Sequence, residues 1–227
     1  MGEVEPQSEA EVFDLAYGAR SPLFGEVPTR MLEMLLKDGE LCGSALELGC
    51  GDGRDTLMLL RRGFSVTAVD SSGVALTRLR ERAVAAGLDT RRLNACQADV
   101  RHWQWEPEAF DLVVAVTLLD HLDADAGREV LSGMIVTLRP GGLLFVKSHT
   151  VDDPALHSSA GVSEFASQIR HYFDKNELLR WLTGEVRVCL YGERTEMDDD
   201  HGPPHAHGFA TAIARKERPN VGRGGIV

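Results

Sequence analysis

The sequence has no apolar run approaching the roughly 18 uncharged residues that a membrane span requires, so no spanning helix is expected. Cysteine is sparse and unpaired in pattern. Cys42, Cys50, Cys96 and Cys189 are scattered, which points to reduced thiols and excludes a disulfide framework or a thiolate metal site. The first ten residues are acidic and polar, with no basic stretch leading into an apolar one; no secretory signal is expected, and the setting is read as cytoplasmic. Positive charge is also short, with 24 basic residues against 35 acidic and a net charge of −11. A surface of that sign repels phosphate backbones and anionic lipid, which sets aside nucleic acid and membranes as partners. The pairs Arg61-Arg62 and Arg91-Arg92 sit where a helix or loop meets a strand and read as solvated faces. A small-molecule partner is left. No internal repeat and no dividing linker interrupts the 227 residues, so one core is expected, in a monomer or homodimer.

What is present is an alternation. Two short amphipathic helices are expected around Val12–Tyr17 and Thr29–Leu36. Apolar or β-branched runs at Ala45–Leu48, Phe64–Val69, Leu93–Ala98, Leu112–Val116 and Leu143–Lys147 read as strands. Helices are predicted at Arg54–Leu60, Val74–Ala86 and Ala126–Leu138, with Gly63 and Gly87 closing the first two. Nearly continuous apolar strands separated by helices mean a parallel sheet covered on both faces. After Lys147 the rhythm changes: a helix over Lys175–Leu182 precedes an antiparallel pair, Val186–Tyr191 and Phe209–Ala214. The predicted fold is α/β and Rossmann-like, a seven-stranded, mostly parallel sheet with an antiparallel last strand and helices on both faces. Residues 1–40 form a helical segment over the site, with the first ten disordered; residues 41–217 form the domain, and residues 218–227 a flexible tail.

The segment Glu47-Leu48-Gly49-Cys50-Gly51-Asp52-Gly53 follows the first strand and leads straight into a helix. Alternating glycines let the backbone turn sharply and approach a ligand with no Cβ in the way. Such a turn also fits a nicotinamide or flavin site. Arg54, however, stands where a dinucleotide site wants a small residue, and Glu47 suits a sulfonium or amino group better than a pyrophosphate. Asp70, with Ser71 beside it, ends the second strand, where an acid can accept ribose hydroxyls. Asp99 follows the third strand, placed to read an adenine amino group with Val100 against the ring.

With Phe110-Asp111-Leu112-Val113-Val114 and Leu138-Arg139-Pro140-Gly141-Gly142, this ordered set resembles the class I S-adenosylmethionine-dependent methyltransferases over roughly residues 42–148. The resemblance implies that Glu47, Gly49, Cys50 and Gly51 line the cofactor, Asp70 and Ser71 hold the ribose, and Asp99 and Val100 hold the adenine. It places Thr117 at the methionine part. More narrowly, Gly51-Asp52-Gly53-Arg54-Asp55, Leu57-Met58-Leu59-Leu60 and Gly63-Phe64 resemble the tellurite-resistance type. So do Tyr172-Phe173-Asp174-Lys175-Asn176-Glu177-Leu178 and the closing strand Phe209–Lys216. That likeness carries Arg54 to the cofactor carboxylate and implies a thiol or chalcogen oxyanion as the acceptor.

Two features depart from that type. Asp120-His121 follows the fourth strand, where the family is usually apolar, and His201-Gly202-Pro203-Pro204-His205-Ala206-His207 is inserted between the last two strands. An imidazole suits a general base at neutral pH, so Asp120, His121, His205 and His207 are candidate catalytic residues for a hydroxyl or amine acceptor. His201, His205 and His207, with Asp198-Asp199-Asp200 nearby, also supply enough donors for a divalent metal. The insertion is expected at the mouth of the cofactor pocket, because the last strand slots between the fifth and sixth. A nicotinamide oxidoreductase, an aminopropyl transferase and a non-catalytic S-adenosylmethionine-binding protein are the other readings.

Overall fold

A computed structural model describes residues 8–37, 41–157, 165–182, 184, 186–198 and 204–218. The first helix, α1 (Glu9–Ala19), starts earlier than the apolar periodicity indicates. The reason is a capping box: Ser8 Oγ accepts from the Glu11 amide, and the Glu11 carboxylate accepts from the Ser8 amide at 2.8 Å. Residues 8–10, expected to be disordered, are thereby helical or capping; residues 1–7 and 219–227 lie outside the described residues. A short α2 (Arg30–Leu35) follows.

The domain then alternates through β1 (Ser44–Leu48), α3 (Arg54–Arg61), β2 (Ser65–Asp70), α4 (Gly73–Ala85), β3 (Leu93–Gln97), β4 (Phe110–Val116), α5 (Ala124–Thr137) and β5 (Leu138–His149). The short α6 (Glu177–Trp181), β6 (Val186–Asp198) and β7 (His205–Lys216) complete it. The strands form one sheet in the order β3-β2-β1-β4-β5-β7-β6. β1 pairs in parallel with both β2 and β4, so the strand order reverses there and leaves a crevice at their carboxyl ends. β7 runs antiparallel between β5 and β6.

Period-two alternation divides the core. Leu46, Leu48, Val113, Ala115, Leu144 and Val146 face α5, while Ala45, Leu112, Val114, Leu143 and Phe145 face α3 and α4. Each fully buried Leu or Val contributes about 1.5–3 kcal/mol, so this double layer dominates the favourable side of folding. Asp123 sets where α5 begins, its side chain accepting from the Ala126 amide at 2.9 Å.

The last two strands differ most from expectation. They run as a ribbon from Val186↔Lys216 out to Asp198↔His205, well past the expected Tyr191 and Phe209 ends. His205 and His207 are therefore strand residues, not loop residues. Their backbones complete ladder hydrogen bonds with β6, a stronger local demand than the Pro/Gly composition beside them. Among the described residues, no helix is long and apolar enough to cross a membrane.

Candidate active site

One cavity of about 690 Å³ opens at the reversal point between β1 and β4. Gly49, Gly51 and Gly53 all adopt positive φ in the turn after β1. At Gly51 the need is doubled, because a Cβ there would run into the Tyr17 hydroxyl. Asp70 holds this turn: its Oδ2 accepts from the Gly51 amide at 2.7 Å and its Oδ1 from the Ser72 amide at 2.9 Å. Burial raises the Asp70 pKa, and those two amides work against the rise. A carboxylate offers about four lone-pair sites, so two remain for a ligand hydroxyl.

Glu47, nearly inaccessible, accepts from Thr56 Oγ1. Burial, then the charge of Asp55, pushes its pKa up to about 8. Asp99 and Val100 line the same cavity, with the Asp99 carboxylate gripped by Arg101 and accepting its backbone amide at 2.9 Å. Thr117, at φ 48°, donates its amide to the Lys147 carbonyl at 2.7 Å and lines the cavity between β4 and β5.

The N-terminal segment roofs this wall. Phe13 and Tyr17 of α1 line the cavity, and Asp52 accepts from Ser21 Oγ at 2.9 Å and from the Leu23 amide at 3.1 Å. Arg54 lines the cavity too, but its guanidinium donates to the Phe24 carbonyl at 3.0 Å and to Thr29 Oγ1 at 3.3 Å. It is thus an anchor for the roof, whatever it offers a cofactor carboxylate.

The opposite end is polar. His149, at the end of β5, pairs through Nδ1 with Asp120 Oδ2, which also accepts the His149 amide at 3.1 Å. Across from it, His207 Nδ1 lies 2.9 Å from Asp153 Oδ2, and the two imidazole centroids are 5.0 Å apart. Phe209 packs against both rings, with Lys147 Nζ 3.8 Å from its ring centroid and 2.7 Å from Glu196 Oε2. The glycine turn and the ionisable wall share one cavity.

Known proteins share this domain and this fold. Residues 45–142 match the family described as "Methyltransferase domain". Over 132 residues the chain is 29% identical to a ubiquinone biosynthesis O-methyltransferase of Aeromonas salmonicida, covering 58% of this chain and 54% of that protein. The domain over residues 45–142 is that of a class I S-adenosylmethionine-dependent methyltransferase. The chain spans about half the length of the first curated relatives it matches. The methyltransferase fold extends further than the sequence identity. A solved structure concerning conversion of a disulfide bond into a thioacetal group in echinomycin biosynthesis aligns with TM-score 0.72 at 23% identity, over 92% of this chain and 93% of that one. TehB from Haemophilus influenzae aligns with TM-score 0.67 at 22% identity, over 83% and 62% respectively.

The structure brings together at one cavity Glu47, Gly49, Cys50, Gly51, Arg54, Asp70, Ser71, Asp99, Val100, Thr117, His121 and His207. Three sequence expectations change. Asp120 is fully buried and lies behind His149 instead of lining the cavity, because its Oδ2 is held by the His149 amide and ring. His205 is buried beside His207 at 4.6 Å between centroids but does not line the cavity. His201 lies outside the described residues, so the His201–His205–His207 metal set has no described geometry; His207 instead groups with His149 and Asp153. Sequence reasoning missed His149, Asp153 and Tyr17. The signal for His149 was a titratable residue just past an apolar strand, two positions beyond Lys147.

Proposed function

We propose that the protein transfers the methyl group of S-adenosylmethionine to a small molecule seated between Thr117 and the His149–His207 wall. The observation that carries this reading is the single cavity joining the glycine turn and Asp70 to that ionisable wall. Methyl transfer is an in-line displacement at carbon. The acceptor atom attacks the methyl, the carbon–sulfur bond breaks, and S-adenosylhomocysteine leaves. The protein's work is to hold acceptor and methyl in line, to exclude water and to receive any acceptor proton. An ionisable wall is what a hydroxyl acceptor needs, and the similarity to ubiquinone biosynthesis O-methyltransferases supports that class. A thiol or chalcogen oxyanion is the second reading. It needs little base assistance, and it draws on the likeness to TehB and to the echinomycin structure.

Two measurements test the proposal. Calorimetry is expected to give tight binding of S-adenosylmethionine and S-adenosylhomocysteine, with NAD much weaker; the reverse order would refute it. A panel of catechols, thiols, selenite, tellurite and amines, followed by S-adenosylhomocysteine release, is expected to favour hydroxyl acceptors. Activity confined to tRNA or a protein would refute the small-molecule reading.

A further inference from the structure

We infer that His149, Asp153 and His207 form a divalent transition-metal site at the acceptor end of the cavity. All three side chains are buried, and one donor atom from each lies within 4.8 Å of the other two. His207 Nδ1 is 2.9 Å and His149 Nε2 3.8 Å from the same atom, Asp153 Oδ2. Metal–ligand bonds of about 2.0–2.1 Å in a tetrahedral site put donors roughly 3.3 Å apart, so small side-chain shifts would bring these atoms to a common centre. Two imidazoles and one carboxylate are the donor set of zinc, iron or cobalt, not of magnesium or calcium.

The surroundings fit as well as the donors. The Asp120 carboxylate takes the His149 Nδ1 side, which turns Nε2 toward Asp153 and sets its tautomer, the usual support of a metal-bound histidine. Two carboxylates, those of Asp120 and Asp153, are buried within this one cluster, and burying negative charge without a compensating cation is costly. Asp120 Oδ1 is buried with no hydrogen-bond partner among the described residues. The Asp153 loop is also seated firmly on β7. The Gly208 amide donates to Asp153 Oδ2 at 3.1 Å, and a Cβ at Gly208 would crowd the 152–153 backbone.

His149 and His207 line the cavity, so the site opens toward the acceptor. Resting on the proposed function, its role is acceptor activation. A hydroxyl coordinated there releases its proton to solvent more readily, and its oxygen then takes the methyl as S-adenosylhomocysteine departs.

The test uses the 227-residue protein purified without a histidine tag, stripped by chelation and dialysed. Elemental analysis after zinc loading, and cobalt titration followed by visible absorption, are expected to give one ion per chain with a low-coordinate cobalt spectrum. His149→Ala and His207→Ala should each weaken cobalt binding at least about tenfold, and Asp120→Asn about 10–100-fold. Asp153→Asn replaces Ala at 153 because that side chain also holds backbone amides of Ala155 and Gly208. S-adenosylmethionine affinity within about twofold of wild type would show that the variants are folded. Absence of stoichiometric ion binding, or binding unchanged in His149→Ala and His207→Ala, overturns the inference. Turnover by fully stripped protein overturns the metal's role and leaves the methyltransferase reading intact. Ion binding without S-adenosylmethionine binding does the opposite.

Discussion

Glu9 Oε1 lies 2.8 Å from His121 Nδ1, and this pair ties the first helix to the turn after β4 across the cavity mouth. Burial pushes the His121 pKa down, but the carboxylates of Glu9 and Asp120 outweigh it and leave the pKa raised. A raised histidine stabilises below its unfolded pKa, near 6.5, and the contribution is lost as pH rises through the folded value. Amides of α1 should therefore exchange faster with solvent at about pH 9 than at about pH 6, after correction for intrinsic rates. Glu9→Gln should abolish most of that difference. Equal protection of α1 at both pH values in wild type would mean that the apolar contacts of Phe13 and Tyr17 hold the helix alone.

Asp70 bridges two backbone turns and has acceptor capacity left for a ribose. Asp70→Ala is expected to weaken S-adenosylmethionine binding by about 1–3 kcal/mol, through the lost charge-assisted bonds and the loosened glycine turn. Calorimetry on folded variant checks this. Unchanged affinity would make Asp70 a structural residue only.

Glu47 holds its proton more tightly in the fold than in the unfolded chain, since burial and Asp55 push its pKa up to about 8. The native state then binds the extra proton between the unfolded value, about 4.3, and about 8. Stability contributed at this site falls as pH rises through that window. Glu47→Gln should gain in melting temperature relative to wild type on going from about pH 5 to about pH 8. Parallel pH profiles for the two proteins would show that Glu47 is ionised in the fold.

Gly133 sits in α5 with the Trp105 ring where its Cβ would be. Helix propensity alone would favour Gly133→Ala by about 1 kcal/mol. Overpacking costs about 1–3 kcal/mol, and a Cβ at Gly133 would overlap the Trp105 ring unless that ring shifts. Net destabilisation of about 1–2 kcal/mol in urea unfolding is expected, with partial rescue by Trp105→Leu. A stabilised Gly133→Ala would show that the ring moves freely.

The elements and the glycine-turn wall of the cavity were legible in the amino-acid order. Alternating apolar strands and glycine-closed helices specify a parallel sheet. The turn Gly49–Gly53 with Asp70 and Asp99 needs only local backbone geometry at successive strand ends, which spacing along the chain encodes. The ionisable wall came from chain pairing across the sheet. His149, Asp153 and His207 come from the end of β5, the turn after it and the start of β7, and they meet because β7 slots in antiparallel with His149 paired to Phe209. Nothing in the spacing of 149, 153 and 207 encodes that register. It follows from the ladder between β5 and β7, while pairing of β7 with β6 drew His205 and His207 out of their expected loop, and the His149 amide and ring hold Asp120 behind that histidine.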